Sequence, residues 1–211
     1  MAVTRDPIQW REKKFPRKFI PTILHLAMDC WSTFSKPHNG ERETKITRRF
    51  VCALRQARNL RRLPFVIDRE EANDDPKTAE ELGRIDLRLI PRGYTEEVYF
   101  AFECKKMNVR CSRRWRSQAS EYVEEGIRRF ITGKYAAGLD DGGMIAYVMD
   151  GNVAKAIGAV EKSMMRSSCL RLCDKVPLLP SRILPATDCV KESRHDIRDP
   201  AFCIHHVFLA V

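Results

Sequence analysis

Two alternating stretches joined by a proline–glycine turn constrain this chain more than any other feature. They are Arg84-Ile85-Asp86-Leu87-Arg88-Leu89-Ile90 and Val98-Tyr99-Phe100-Ala101-Phe102-Glu103-Cys104-Lys105, linked through Pro91-Arg92-Gly93-Tyr94-Thr95. Polar and apolar residues in alternation mark a strand with one buried face, so Gly83 to Lys106 predicts a β-hairpin. Ile85, Leu87 and Leu89 then point one way and Arg84, Asp86 and Arg88 the other. On the second strand Val98, Phe100, Phe102 and Cys104 lie opposite Glu103 and Lys105. Matching the apolar faces pairs Leu87 with Phe102 and sets Asp86 across from Glu103. Directly opposed Cβ atoms lie about 4.5–5.5 Å apart, and carboxylates that close repel unless a cation lies between them. Lys105 follows Glu103 at roughly 7 Å on the same face. Oxygen ligands beside an ammonium suit Mg²⁺ or Mn²⁺, with the lysine placed to orient or deprotonate water or to stabilise a phosphate. The same face would also serve as an ordinary solvated surface. Against that, Tyr99-Phe100-Ala101-Phe102 reads as a buried central strand, and a Glu and a Lys at its end need partners.

An aspartate, a strand and turn, then Glu-x-Lys resembles the PD-(D/E)xK nuclease superfamily, with Ile85 in place of proline before Asp86. The resemblance implies an α/β restriction-endonuclease-like core, a central mixed sheet flanked by helices in the order αβββαβ. It also implies Mg²⁺- or Mn²⁺-dependent phosphodiester hydrolysis, with Asp86 and Glu103 holding the metal and Lys105 acting on water and developing charge. The superfamily often carries a metal-site glutamate on its first core helix, and Glu43 is the matching position. Gln118 and Tyr122 fit the QxxxY motif that follows the catalytic lysine in RecB- and Cas4-type members, where both would face the cleft. Those relatives often hold an iron–sulfur cluster through four cysteines. Cys169, Cys173, Cys189 and Cys203 lack the compact spacing for that, so neither a cluster nor structural zinc is expected.

The flanking sequence supports the order of elements. Glu41 to Arg62 predicts a helix, because Ile46, Phe50, Ala53, Leu54, Ala57 and Leu60 recur at helical spacing. Glu43 falls on the apolar line of that helix, where a buried acid needs a partner; as a first-turn acid it would also be favoured by the helix dipole. Leu63 to Asp68 predicts a strand, followed by an acidic loop from Arg69 to Glu81. Ser112 is the expected cap of a second helix from Arg113 to about Thr132, with Glu124–Arg128 and Glu125–Arg129 as i,i+4 pairs. Gly142 to Asp150 reads as a buried strand and Val153 to about Arg166 as a helix. Ala201 to Val211 predicts a final strand, on which His205 and His206 face opposite sides; these and His195 are expected to be packed or surface groups. The superfamily match spans Glu41 to Asp150.

Between Cys104 and Gln118 stand six cations and no acid: Lys105, Lys106, Arg110, Arg113, Arg114 and Arg116, with Trp115 among them. Lys106, Arg113, Arg114 and Arg116 join Gln118 and Tyr122 as candidate nucleic-acid contacts. A net charge of +10 over 211 residues agrees with an anionic partner, DNA before RNA. Residues 1–40 read as an N-terminal extension, 41–167 as the nuclease-like core and 168–211 as an extension completing the same domain. Met1 to Pro7 carries no signal-peptide apolar region and no run would span a membrane, so a cytoplasmic location is expected, with eight reduced, mostly buried cysteines. A homodimer or protein partner is also compatible. The alternative to a nuclease is a non-cleaving DNA-binding module of the same fold, or a partner subunit of a defence or repair complex.

Overall fold

The computed structural model describes residues 14–74 and 81–211. Helix α1 (Ile20–Thr33) and helix α2 (Glu43–Leu60) precede three strands, β1 (Phe65–Asp74), β2 (Glu81–Pro91) and β3 (Phe100–Met107). A short ribbon follows, β4 (Val109–Cys111) and β5 (Arg114–Arg116). The chain then forms α3 (Ala119–Glu121), a π-helical turn (Tyr122–Ile127) and α4 (Arg128–Ile131) as one helical segment. It continues through β6 (Asp141–Val148), α5 (Val153–Arg166), β7 (Leu179–Pro180), β8 (Val190–His195) and β9 (Phe202–Ala210).

Seven strands make one mixed sheet in the order β1-β2-β3-β6-β9-β8-β7. The pairs β1–β2, β2–β3, β8–β9 and β7–β8 are antiparallel, whereas β3–β6 and β6–β9 are parallel. Helices cover both faces, which is why the central strands β6 and β9 are buried almost end to end rather than alternately. On one face Ile20, Leu24, Trp31, Phe50 and Leu54 of α1 and α2 pack on Phe100, Phe102 and Tyr147. On the other, Tyr122, Val123, Phe130 and Val160 pack on Met144, Ile204 and Phe208. The molecule is thus an α/β protein, and α1 and β7–β9 enter the same sheet and cores as the segments between them. Among the described residues no helix is long and apolar enough to cross a membrane.

Several boundaries differ from the sequence expectation, each for a local reason. Helix α2 begins at Glu43, because Arg42 is extended and Glu41 lies outside the helix, buried against Arg49 at 2.9 Å. The acidic loop is largely absent: β1 runs to Asp74 and pairs with β2 down to Glu81, since cross-strand pairing overrides weak β propensity. Residues 75–80 of that expected loop lie outside the described residues, as do residues 1–13 of the expected N-terminal extension. The helix expected from Arg113 starts instead at Ala119, and Ser112, at φ 54°, is the turn of the β4–β5 ribbon rather than a cap. Cations in a first helical turn oppose the dipole, so the extended ribbon is the better state for Arg113–Arg116. All eight cysteines are free, but four of them, Cys52, Cys111, Cys169 and Cys173, are exposed, contrary to the expected burial.

Where β6 runs parallel beside β3, Gly143 next to Phe102, the close approach of the rings requires glycine. A Cβ on Gly143 would lie 2.4 Å from the Phe102 ring and 2.9 Å from that of Phe100. Gly143→Ala is therefore expected to destabilise the fold by about 1–3 kcal/mol, the cost of overpacking a filled core, read as a lower denaturation midpoint at unchanged m-value.

Candidate functional site

The β2–β3 ladder has the register read from the apolar faces, Leu89 opposite Phe100 and Leu87 opposite Phe102, and there it stops. Beyond it β3 continues to pair with β6 alone, through Glu103↔Met144 and Lys105↔Ala146. The two strands therefore part at Asp86. Alternation also breaks there: Leu87 and Leu89 join one core, but Ile85, expected on their face, joins the other with Tyr99 and Met107.

A strand that loses its neighbour leaves every second N–H on that edge without a ladder partner. Two carboxylates fill this role. Asp86 Oδ2 accepts the N–H of Cys104 at 2.8 Å, and Glu43 Oε2 accepts the N–H of Lys106 at 2.6 Å. Asp86 reaches its place from β2 and Glu43 from the first turn of α2. Hydrogen bonds from backbone N–H to a carboxylate are charge-assisted and fix its orientation. The position of Glu43 was legible from its place on the apolar line of α2.

Glu103 and Lys105 complete the fork. Lys105 Nζ lies 2.6 Å from Glu103 Oε1 and 3.5 Å from Glu43 Oε1. The same Glu103 oxygen accepts from Arg129 at 2.9 Å, and Arg129 also donates to Tyr135 at 2.7 Å; the Tyr135 hydroxyl in turn donates to the carbonyl of Arg84. Arg129 and Tyr135 were not read from sequence. Spacing pairs Arg129 with Glu125, a contact that stands at 3.9 Å, whereas its partner Glu103 is 26 residues away. The π-helical turn supporting Arg129 brings Gly126 over Met144 and the Cγ of Glu103.

Glu103 is 1% exposed, and its Oε2 is buried with no hydrogen-bond partner. Burial, reinforced by the Asp86 carboxylate, pushes its pKa up to about 7 despite Lys105 and Arg129. Burial likewise raises the pKa of Asp86. For Lys105 burial works against the charge, but Glu103 and Glu43 outweigh it and hold the pKa above the ordinary lysine range. Lys105 is therefore a fixed cation, not a base.

The candidate nucleic-acid contacts divide. Arg113, Arg114 and Arg116 are exposed on the ribbon. Gln118, in a left-handed conformation, donates to Glu121 at 3.1 Å. Lys106 corrects the expectation: its ammonium is bonded to the carbonyls of Asn39 at 2.9 Å and Glu41 at 2.8 Å. Tyr122 corrects it too, being fully buried with its hydroxyl 3.0 Å from His206 Nδ1. Its ring falls on the sheet-facing side of the helical segment, where apolar burial decides the orientation. His206 Nε2 and His195 Nε2 share Ser193 Oγ at 2.8 Å each, and burial lowers the pKa of both histidines, His195 to about 4. Tyr122→Phe is expected to cost about 1–3 kcal/mol by leaving His206 Nδ1 unpaired in the core, read as a lower denaturation midpoint.

Among the described residues one group of three possible metal-ligating side chains has all its donor atoms within 4.8 Å: Asp141, Cys203 and His205. Asp141 Oδ1 already accepts from Arg17 at 3.1 Å and faces His205 Nε2 at 3.2 Å. Burial opposes charge on His205, yet the hydrogen bond to Asp141 raises its pKa to about 9. Without a metal these side chains pair with one another, Asp141 standing between Arg17 and His205; a metal bound here would have to displace the His205 proton. At the fork, Glu43, Asp86 and Glu103 are all oxygen donors, and the partnerless Oε2 of Glu103 is the atom a hard cation would satisfy.

No family model matches the chain, and no curated protein or solved structure matches it.

Proposed function

We propose that this protein is a divalent-metal-dependent nuclease that hydrolyses phosphodiester bonds, of DNA in the first instance, on a restriction-endonuclease-like core. The observation that carries this reading is the fork itself. Two strands part so that the Asp86 carboxylate takes the N–H of Cys104, next to Glu103, one oxygen of the buried Glu103 carboxylate lacks a partner, and a protonated lysine stands 2.6 Å from its other oxygen. Asp86 and Glu103 would hold Mg²⁺ or Mn²⁺, with Glu43 beside them. When bound, such an ion supplies Lewis-acid polarisation of the phosphate and a more acidic water. Lys105 orients the attacking water and offsets negative charge that develops on the phosphate oxygens. Glu43 anchors the ammonium from the side of α2, and Arg129 keeps Glu103 Oε1 engaged while Oε2 is left without a partner. Water adds to phosphorus, one ester bond breaks, and an alcohol and a phosphate monoester leave.

The second reading, a DNA-binding module that does not cleave, is favoured by one feature. Lys105 and Arg129 together already neutralise Glu103. It predicts binding that is indifferent to divalent ions.

The deciding experiment incubates purified protein with linear, circular and single-stranded DNA in Mg²⁺, Mn²⁺ or EDTA. Metal-dependent cleavage supports the nuclease, and the substrate cut gives its mode. Salt-dependent binding without cleavage in any buffer leaves the binding module; no salt-dependent binding at all points to a protein partner instead.

A further inference from the structure

Three residues past Lys105 the chain leaves the main sheet. Asn108, at φ 52°, turns β3 into the β4–β5 ribbon, and its N–H donates to Ser117 O at 3.1 Å to close the ribbon's base. Asn108 Nδ2 donates to Asp150 at 2.8 Å. The side chain of Asn39 bonds both backbone groups of Arg110, at 2.8 and 2.9 Å. The ribbon is thus pinned to the loop before α2, the same loop whose carbonyls hold Lys106.

What it displays is charge and one ring. Arg110 pairs with Trp115, so these two share a face, while Arg114 and Arg116 lie on the other with Cys111 and Val109 opposite them. Among the described residues, none of the guanidinium groups of Arg110, Arg113, Arg114 and Arg116 has a carboxylate partner, unlike those of Arg49, Arg61, Arg128 and Arg129. Trp115 is 44% exposed and, among the described residues, makes no ring or cation–π contact. Four uncompensated cations on one small ribbon, with Arg110 beside an exposed indole, demand an anion that also offers a flat apolar face. Nucleic acid with unpaired bases offers both, because a duplex hides its base faces within the stack. A duplex would satisfy the arginines and leave the indole in water.

We propose that the β4–β5 ribbon is a binding element for unpaired nucleic acid, in which Trp115 stacks on a base, Arg110 on the same face takes the flanking phosphate, and Arg113, Arg114 and Arg116 add positive charge at the turn and on the other face. The ribbon's base lies ~10 Å along the strand from Lys105, so a strand held there continues into the fork. Only that last clause rests on the nuclease reading.

The test is binding of fluorescein-labelled oligothymidine and of a blunt duplex, in EDTA so that cleavage plays no part. Trp115→Ala is expected to weaken oligothymidine binding by at least about tenfold and duplex binding by less than about twofold, with Trp115→Phe restoring most of the loss. Arg110→Ala is expected to lower the salt slope for oligothymidine by about 0.7. Unchanged affinity in Trp115→Ala overturns the proposal, and so does an equal loss on both substrates, which would make the ribbon a duplex-groove reader. A protein that shows the Trp115-dependent loss but never cleaves keeps the ribbon and sinks the nuclease; one that cleaves without it does the reverse.

Discussion

Lys105→Ala is expected to cut metal-dependent cleavage by about 10²–10³-fold while leaving DNA affinity within about twofold. That rate loss is what removal of one preorganised charge from a developing oxyanion costs. Affinity is spared because Lys105 acts on charge that develops only in the transition state, its ground-state partners being Glu103 and Glu43. Removing one partner of a buried pair also costs stability, about 3–5 kcal/mol. Lys105→Met, which keeps the aliphatic stem, therefore accompanies the alanine variant, with a melting curve for each. Single-turnover cleavage in Mg²⁺ is the readout. A folded Lys105→Met protein that cuts at the wild-type rate would remove Lys105 from the chemistry.

Cleavage is expected to fall about tenfold for each unit of pH below about 7, the point to which burial and the neighbouring Asp86 carboxylate raise the pKa of Glu103. A protonated carboxyl is a poor ligand for a divalent ion, and the ionised fraction drops tenfold per unit. Metal and proton compete for one oxygen, so raising Mg²⁺ should shift the midpoint to lower pH. The sign for stability is the opposite. An unfolded glutamate ionises near 4.5, so between that value and about 7 the folded chain keeps a proton the unfolded chain has released. The contribution of Glu103 to stability is thus fullest at low pH and is lost as pH rises through that window. His195 carries the reverse slope: burial lowers its pKa from 6.5 to about 4, and stability is lost as pH falls between them. Glu103→Gln isolates the first effect, losing cleavage at every pH and losing the glutamate's slope in a series of denaturation midpoints. A pH–rate profile that stays flat from 5 to 8 would show that Glu103 does not act in its ionised form.

The hairpin was legible because a strand's side chains alternate, and an alternating pattern with one buried face excludes any register slipped by a single residue. Leu87 opposite Phe102 agrees with that, whereas Asp86 lies just past the last ladder pair. Helices α2 and α5 were legible for the same kind of reason, as Ile46, Phe50 and Leu54, and Ala156, Val160 and Met164, recur at helical spacing and are buried. The Arg113–Arg116 stretch misled because it has no apolar stripe to fix a period, so pairing with Val109–Cys111 settles its form.

By itself, then, the sequence determined the elements with strong periodicity, the register of one hairpin, and the presence of Asp86, Glu103, Lys105 and Glu43 as charged residues in want of partners. Only the tertiary structure decided that β2 and β3 part at Asp86, that Asp86 and Glu43 take the two exposed N–H groups of β3, and that Arg129 and Tyr135 close on Glu103. Periodicity reports how a segment meets water and core. Which distant groups share one buried pocket depends on how the segments pack, and no local spacing encodes it.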